Sequence, residues 1–253
     1  MRTPDWASPF PREGELADWR FAPFRCGADP NRPAAVSIEE HRLKPLTKIL
    51  LVRHGHVEGI HPPRFRGRED LPLTRRGKAE ALSVARRIAS KWRPVRVYTS
   101  PLSRCVATGA AIAEACGIEA QSVDQLSDID YGTWQMKSHE EMALAEPAAY
   151  AAWFATPHLL RFPGGESLQD LVSRSADALR LAHERHPDQT VVLVSHDSVN
   201  RAMLIQLADV PLSSYWRFAQ DPCCINEVDI ADGHVEIRGI NDTSHLDDLG
   251  ERA

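Results

Sequence analysis

The stretch Lys48-Ile49-Leu50-Leu51-Val52-Arg53-His54-Gly55 decides the reading of this 253-residue chain. Its apolar run, Ile49 to Val52, is too short for a helix and reads as a strand buried on both faces, as strands of a parallel sheet are. The run stops at Arg53-His54-Gly55, which delivers a cation and an imidazole to the strand's carboxyl end. A second stretch repeats the design. Thr190-Val191-Val192-Leu193-Val194 is the clearest strand in the chain, and it runs into Ser195-His196-Asp197.

A third strand, Val95-Arg96-Val97-Tyr98, leads through Thr99-Ser100-Pro101-Leu102-Ser103 to Arg104, one turn into the next helix. Thr74 caps a helix running to about Trp92, with Ala79, Leu82, Ala85 and Ile88 on one face. Ser100-Pro101 opens a helix through Ala115 that Gly117 closes. Residues 139 to 154 read as helical, Glu166 to His186 as a long amphipathic helix, and the segment after Asp197 as a helix to about Ala208. Asn226 to Ile230 and His234 to Ile240 read as a closing hairpin around Asp232-Gly233. Strands alternating with helices define the class as α/β: a three-layer α/β/α sandwich with a central, mostly parallel sheet, over residues 46–253.

Residues 1–45 differ. They hold seven of the eighteen prolines, interleaved with Trp6, Phe10, Trp19, Phe21 and Phe24. Pro at this density forbids long helices and central strands. The aromatics argue for an irregular N-terminal arm that packs on the domain or on a partner subunit, and the second arrangement would make a homo-oligomer. Composition bounds the rest. At 43% apolar and 26% charged, with no apolar run long enough to span a bilayer, the chain reads as globular rather than disordered or membrane-spanning. Thirty basic against 35 acidic residues give a net charge of −5, which argues against a general nucleic-acid or anionic-membrane binder. Five cysteines without a CxxC, and a start with charges and prolines where an export signal needs an apolar stretch, lead us to expect reduced thiols in the cytoplasm.

In parallel sheets, ligands sit outside the carboxyl ends of the strands. If the three strands are neighbours, Arg53, His54, Arg104 and His196 converge there. Arginine offers a planar fork of donors matched to phosphate or carboxylate, and its charge does not titrate away. Imidazole can attack phosphorus and form a covalent intermediate. The convergence points to an oxyanion site with a nucleophile in it.

The sequence resembles the histidine phosphatase superfamily, which has the phosphoglycerate mutase-like fold. The resemblance is carried by Arg53-His54-Gly55, then Arg64, Gly67, Asp70, Pro72-Leu73-Thr74 and Gly77. Ser100-Pro101-Leu102 with Arg104 and Thr108, Leu126-Ser127-Asp128 with Tyr131-Gly132 and Trp134, Pro163-Gly164-Gly165-Glu166-Ser167, and Val194-Ser195-His196 complete the series. It spans residues 48 to about 240. The resemblance implies that His54 becomes phosphohistidine, that Arg53 and Arg104 clamp the phosphoryl oxygens, and that His196 hydrogen-bonds the equatorial ones. Gly55 and Asp197 fall at phosphate-binding positions, and Asp128 at the proton donor's. No metal and no cofactor is implied.

The departures from the family pattern are informative. The donor position is more often Glu, and Asp130, two residues on, points the same way in an extended segment and competes with Asp128. The Asn usual after the first motif is Ile60. The Gly common after the second His is Asp197, which would repel a dianion or recognise a hydroxyl, with Asn200 and Arg201 one turn along. The short stretch between Asp128 and His196 favours a phosphatase over the mutases, which carry an insertion there.

Plainer readings stand beside these. A lone His at a strand end is usually structural. His54, His56 and His61 lack the carboxylate or Cys spacing that would complete a metal site. Cys223-Cys224, Tyr131 and Trp134 read as packing residues, and Arg64, Arg66, Arg68, Arg75, Arg76 and Lys78 as either a solvated helix start or an electropositive mouth. The expectation is a histidine acid phosphatase-type phosphoric monoester hydrolase acting on a small anionic phosphorylated substrate. The alternatives are a phosphoglycerate mutase-type transfer and a degenerate phospho-ligand-binding scaffold. Residues between Trp134 and Pro163 are expected to set specificity.

Overall fold

The apolar run of residues 49–52 forms the middle of strand β1 (Thr47–Arg53), completely buried from Ile49 to Val52. The computed structural model describes residues 46–231 and 233–249; the expected arm, residues 1–45, lies outside them, as does Asp232 of the expected hairpin turn. The other strands are β2 (Arg96–Thr99), β3 (Ala120–Ser122), β4 (Thr190–Ser195), β5 (Ile225–Ala231) and β6 (His234–Asp242). They make one six-stranded sheet in the order β3-β2-β4-β1-β5-β6. β3, β2, β4 and β1 are parallel, and β5 and β6 close the sheet antiparallel. The mostly parallel sheet read from the sequence is therefore observed, with an edge strand, β3, that the sequence reading missed.

Helices α1 (Arg75–Lys91), α2 (Ser103–Cys116), α3 (His139–Ala145), α4 (Pro147–Ala155), α5 (Leu168–Arg185) and α6 (Asp197–Leu207) complete the fold. Because side chains alternate along a strand, each central strand feeds two cores. Leu50, Val52, Val192 and Val194 meet Val84, Ala85 and Ile88 of α1 and Cys105 and Ile112 of α2. Ile49, Leu51, Val191 and Leu193 meet Leu171 and Ala178 of α5 and Val199 and Met203 of α6. Those are the three layers. Each fully buried aliphatic side chain contributes about 1.5–3 kcal/mol of transfer free energy. None of the helices among the described residues is long and apolar enough to cross a membrane.

Local signals account for the helix ends. Thr74 accepts from the Gly77 amide at 3.0 Å to cap α1. Ser167 and Asp170 form a capping box at the start of α5, and Gly117 ends α2 in the left-handed conformation with φ 65°. One expectation needs correction. The buried face of α1 runs through Gly77, Ala81, Val84, Ala85 and Ile88, whereas Leu82 is 51% exposed. The sheet contacts of Val84 and Ile88 set the rotation of the helix. Residues 139–154 are two helices because Pro147 has no amide to continue the first and opens the second instead.

Candidate active site

β4 lies between β1 and β2, and the register pairs Arg53 with Ser195 and Thr99 with Val194. The three carboxyl ends are thus flush. The ladder continues one residue further, with the His54 amide donating to the Ser195 carbonyl at 2.9 Å and the Ser100 amide to the Val194 carbonyl at 3.0 Å. Backbone pairing alone therefore brings Arg53, His54, Arg104 and His196 together, as the strand endings suggested. The two imidazoles meet edge to face with centroids 5.2 Å apart.

His54 is completely buried. Its Nδ1 lies 2.7 Å from the Gly55 carbonyl, which can only accept, so Nδ1 carries the proton. Nε2 is left with a lone pair and no hydrogen-bond partner. Burial first, then the charges of Arg104 and Arg53 and the neighbouring His196, drive the His54 pKa well below the usual 6.5. His196 is also buried and pushed down, by burial and then by Arg104. Arg104 Nε donates to His196 Nδ1 at 3.3 Å, so the His196 Nε2 proton goes to the Ser100 hydroxyl at 2.8 Å.

Arg104 is fully buried and organises its surroundings. It donates to the carbonyls of Glu69 at 2.6 Å and Gly67 at 2.7 Å, and to Asp128 Oδ2 at 3.2 Å. Asp128 Oδ2 also lies 3.5 Å from His196 Nδ1, and its Oδ1 accepts from the Ser198 hydroxyl and from the Ile129 amide at 2.9 Å. Burial raises the Asp128 pKa above its usual range, Arg104 opposes this, and Asp197 adds to it. Asp130, the competitor, accepts from the Gly132 amide at 2.8 Å and sits 3.6 Å from Arg68.

A cavity of about 220 Å³ reaches this cluster at Arg53 and Asp128, whereas His54, Arg104 and His196 are completely buried behind its lining. Arg53, Asp128 and Asp197 line it, with Arg64 and Arg66 from the loop after β1 and Arg201 from α6. Its outer wall is aromatic, formed by Phe65, Tyr131, Trp153, Phe154 and Trp216. Arg53 donates to the Gln220 carbonyl at 2.5 Å, and its Nε is buried without a partner. Gly55 is at the site, where its amide donates to Thr108 Oγ1 at 3.2 Å. Of the basic cluster, Arg64 and Arg66 face the cavity, whereas Arg76 pairs with Glu80 along α1 at 2.8 Å. Among the described residues no three His, Cys, Asp or Glu side chains are grouped as a metal ion would require.

Sequence reasoning missed the support. Arg174 of α5 donates to the carbonyls of Gln125 at 3.0 Å, Ser127 at 2.5 Å and Asp128 at 2.9 Å, and pairs with Glu166 at 2.8 Å. Glu166 in turn accepts from the Asp130 amide at 2.9 Å. The Gly-Gly-Glu-Ser motif pointed to Glu166, but nothing local pointed to Arg174 or Ser198. Tyr131 packs against Phe65 and Phe162 as expected and also lines the cavity, and Trp134 is completely buried as expected. His139, Trp153 and Phe154 come from the stretch expected to set specificity.

Comparisons with known proteins agree with this geometry. Residues 49–243 match the histidine phosphatase superfamily (branch 1). Phosphoserine phosphatase 1 of Hydrogenobacter thermophilus is 35% identical over 201 residues, 79% of this chain and 95% of the relative. The metal-independent phosphoserine phosphatase of Arabidopsis thaliana is 33% identical, over 81% of this chain and 85% of the relative. The solved structure of Bacillus stearothermophilus YhfR superposes with a TM-score of 0.75 at 26% identity, covering 79% of this chain and 100% of that one. The sandwich is the phosphoglycerate mutase-like α/β fold that the motifs implied. Motif order, sheet register and family match therefore converge, and the chain belongs to the histidine phosphatase superfamily, branch 1.

Proposed function

We propose that this chain is a phosphomonoesterase that hydrolyses a small phosphorylated metabolite through a phosphohistidine on His54. The observation that carries the reading is the His54 Nε2 lone pair, buried, unpartnered, and aimed by the Nδ1 bond to Gly55. A neutral imidazole held among arginines suits attack on a phosphoryl group, whose transfer depends chiefly on positioning and electrostatics. Nε2 attacks phosphorus, the ester P–O bond breaks, and the leaving alkoxide takes the proton of Asp128. Asp128, now a carboxylate, removes a proton from water as the water oxygen attacks phosphorus. The P–N bond breaks, releasing inorganic phosphate and restoring both side chains. Arg53, Arg104 and His196 offset the charge that spreads over the phosphoryl oxygens.

These side chains supply the positive charge themselves, and one relative is named metal-independent, so the reaction is expected to run without a metal. The finer assignment, an acid phosphatase-type hydrolase, is supported by a His54 that stays neutral below 6.5 and an Asp128 that holds its proton above 3.8. Two relatives are named phosphoserine phosphatases, which makes O-phosphoserine the first ester to assay. We read the chain as cytoplasmic, supported by the free thiols of Cys105, Cys116, Cys223 and Cys224, and light scattering of the full-length chain reads whether it is a homo-oligomer.

The deciding experiment measures phosphate release from a panel of phosphomonoesters in EDTA, beside His54→Ala. Release that disappears in the variant is expected. No release from any ester by a well-folded wild type would overturn the reading in favour of a mutase or a binding scaffold.

A further inference from the structure

The hydrolytic steps use Arg53, His54, Arg104, Asp128 and His196, and leave one acidic wall of the cavity without a task. Asp197 opens α6 at a position where the family more often has glycine, and its carboxylate lines the cavity beside Asp128 and Arg53. That carboxylate is held in place. Arg201, one turn along α6, donates to Oδ2 at 3.2 Å, and is itself fixed by the Phe218 carbonyl at 2.8 Å and by the Trp216 ring at 4.9 Å. Oδ1 accepts no hydrogen bond from the described residues, although the side chain is about a quarter exposed. Burial works against ionisation, but Arg53, Arg201 and Arg66 outweigh it and keep Asp197 charged.

An ionised carboxylate weakens a pocket that must admit a phosphate dianion, unless the substrate brings a cation to it. Arg66 also lines the cavity. One of its terminal nitrogens donates to the Gly59 carbonyl at 2.7 Å, and its Nε is buried with no partner. The cavity-lining guanidinium as a whole supplies a positive charge for an anionic group on the substrate.

We infer that Asp197 reads the leaving group, taking the ammonium of an O-phosphorylated amino acid while Arg66 takes its carboxylate. This rests on the hydrolase reading above and adds to it which leaving group the cavity selects. O-phosphoserine and 3-phosphoglycerate make the sharp comparison, because they differ only in carrying an ammonium or a hydroxyl on the same carbon. A hydroxyl can donate to Oδ1 but brings no charge, so discrimination between the two measures the electrostatic contribution of Asp197.

The test is calorimetric titration of both esters into the full-length His54→Ala chain and into the chain carrying His54→Ala with Asp197→Asn. O-phosphoserine is expected to bind about tenfold or more tightly than 3-phosphoglycerate, and Asp197→Asn to collapse that ratio to within about threefold. Equal binding to the His54→Ala chain, or a ratio unmoved by Asp197→Asn, would overturn the inference. Should His54→Ala not fold, the ratio of kcat/KM for the two esters in wild type reads the same preference, and a ratio near one has the same consequence. An ammonium preference in binding without phosphate release by wild type would sink the hydrolase reading and leave the role of Asp197 standing.

Discussion

In the proposed mechanism His54 has to be neutral to attack phosphorus, and Asp128 has to carry a proton to donate it. Burial serves both, because a dry site disfavours the charged form of either group. Below its depressed pKa, His54 is protonated and cannot attack; above its raised pKa, Asp128 has lost the proton the leaving group needs. The kcat/KM of an alkyl phosphate is therefore expected to trace a bell whose acid limb belongs to His54 and whose alkaline limb belongs to Asp128, and a pH profile checks it. Asp128→Asn should remove the alkaline limb and slow an alkyl ester by about 10²–10⁴-fold. It should slow a nitrophenyl ester far less, since that leaving group needs no proton. An unchanged alkaline limb in the variant would exclude Asp128. At this scale the sequence was readable where a residue follows directly from a strand, as His54 and His196 do. It left Asp128 and Asp130 open because both project from one side of an extended segment. The structure puts Asp128 on the cavity and engages Asp130 with Gly132 and Arg68.

The start of α1 is pressed against the loop that follows His54. A Cβ on Gly77 would come within 2.1 Å of the His56 carbonyl oxygen, and one on Gly55 within 2.4 Å of the Gly77 carbonyl oxygen. These are backbone atoms, so nothing can swing aside. Gly77→Ala is expected to destabilise by about 1–3 kcal/mol, read from the denaturation midpoint, and to lower kcat because it shifts the loop holding His54. Full stability and activity in that variant would show that the two backbones are not in close contact. Thr74→Ala removes the α1 cap and should cost about 1 kcal/mol with a smaller effect on turnover. Caps, the helix-closing Gly117 and the buried strands were all legible, being local chemistry. The rotation of α1 was not, because Leu82 is as apolar as Val84 and only the sheet chooses between them. Nor was β3, whose Ala120, Gln121 and Ser122 are exposed and carry no apolar run, and which exists through its pairing with β2.

The whole molecule carries the cost of keeping two imidazoles dry. His54 and His196 have folded pKa values well below 6.5, so in the unfolded chain they bind protons at a pH where the folded chain does not. Their contribution is fully present above about pH 6.5 and is lost as pH falls from there toward the folded values. Asp128 acts in the opposite sense, contributing below its unfolded value of 3.8 and losing that contribution as pH rises through its raised folded pKa. Burial lowers the pKa values of His56, His139 and His245 as well, so histidines dominate this window and the thermal midpoint is expected to fall between pH 7 and pH 5. His54→Ala should flatten that slope whatever it does to the midpoint itself. A midpoint independent of pH over this range would show that the imidazoles are not held neutral by the fold.

The α/β class, the order of the buried strands and main helices, and the identities of Arg53, His54, Arg104 and His196 lay within the chain itself. Each depends on local propensity or on a residue's place at the end of a strand, and such signals are contained in a few consecutive positions. That these four residues meet depended on the strand order, with β4 inserted between β1 and β2 from more than ninety positions along the chain. The same holds for Ser198 on Asp128, Arg174 behind the Asp128 loop, and the aromatic wall that Trp153 and Phe154 of α4 make with Phe65, Tyr131 and Trp216. Their polar and aromatic side chains have no periodicity to announce them. Only closure of the three layers brings their partners within reach.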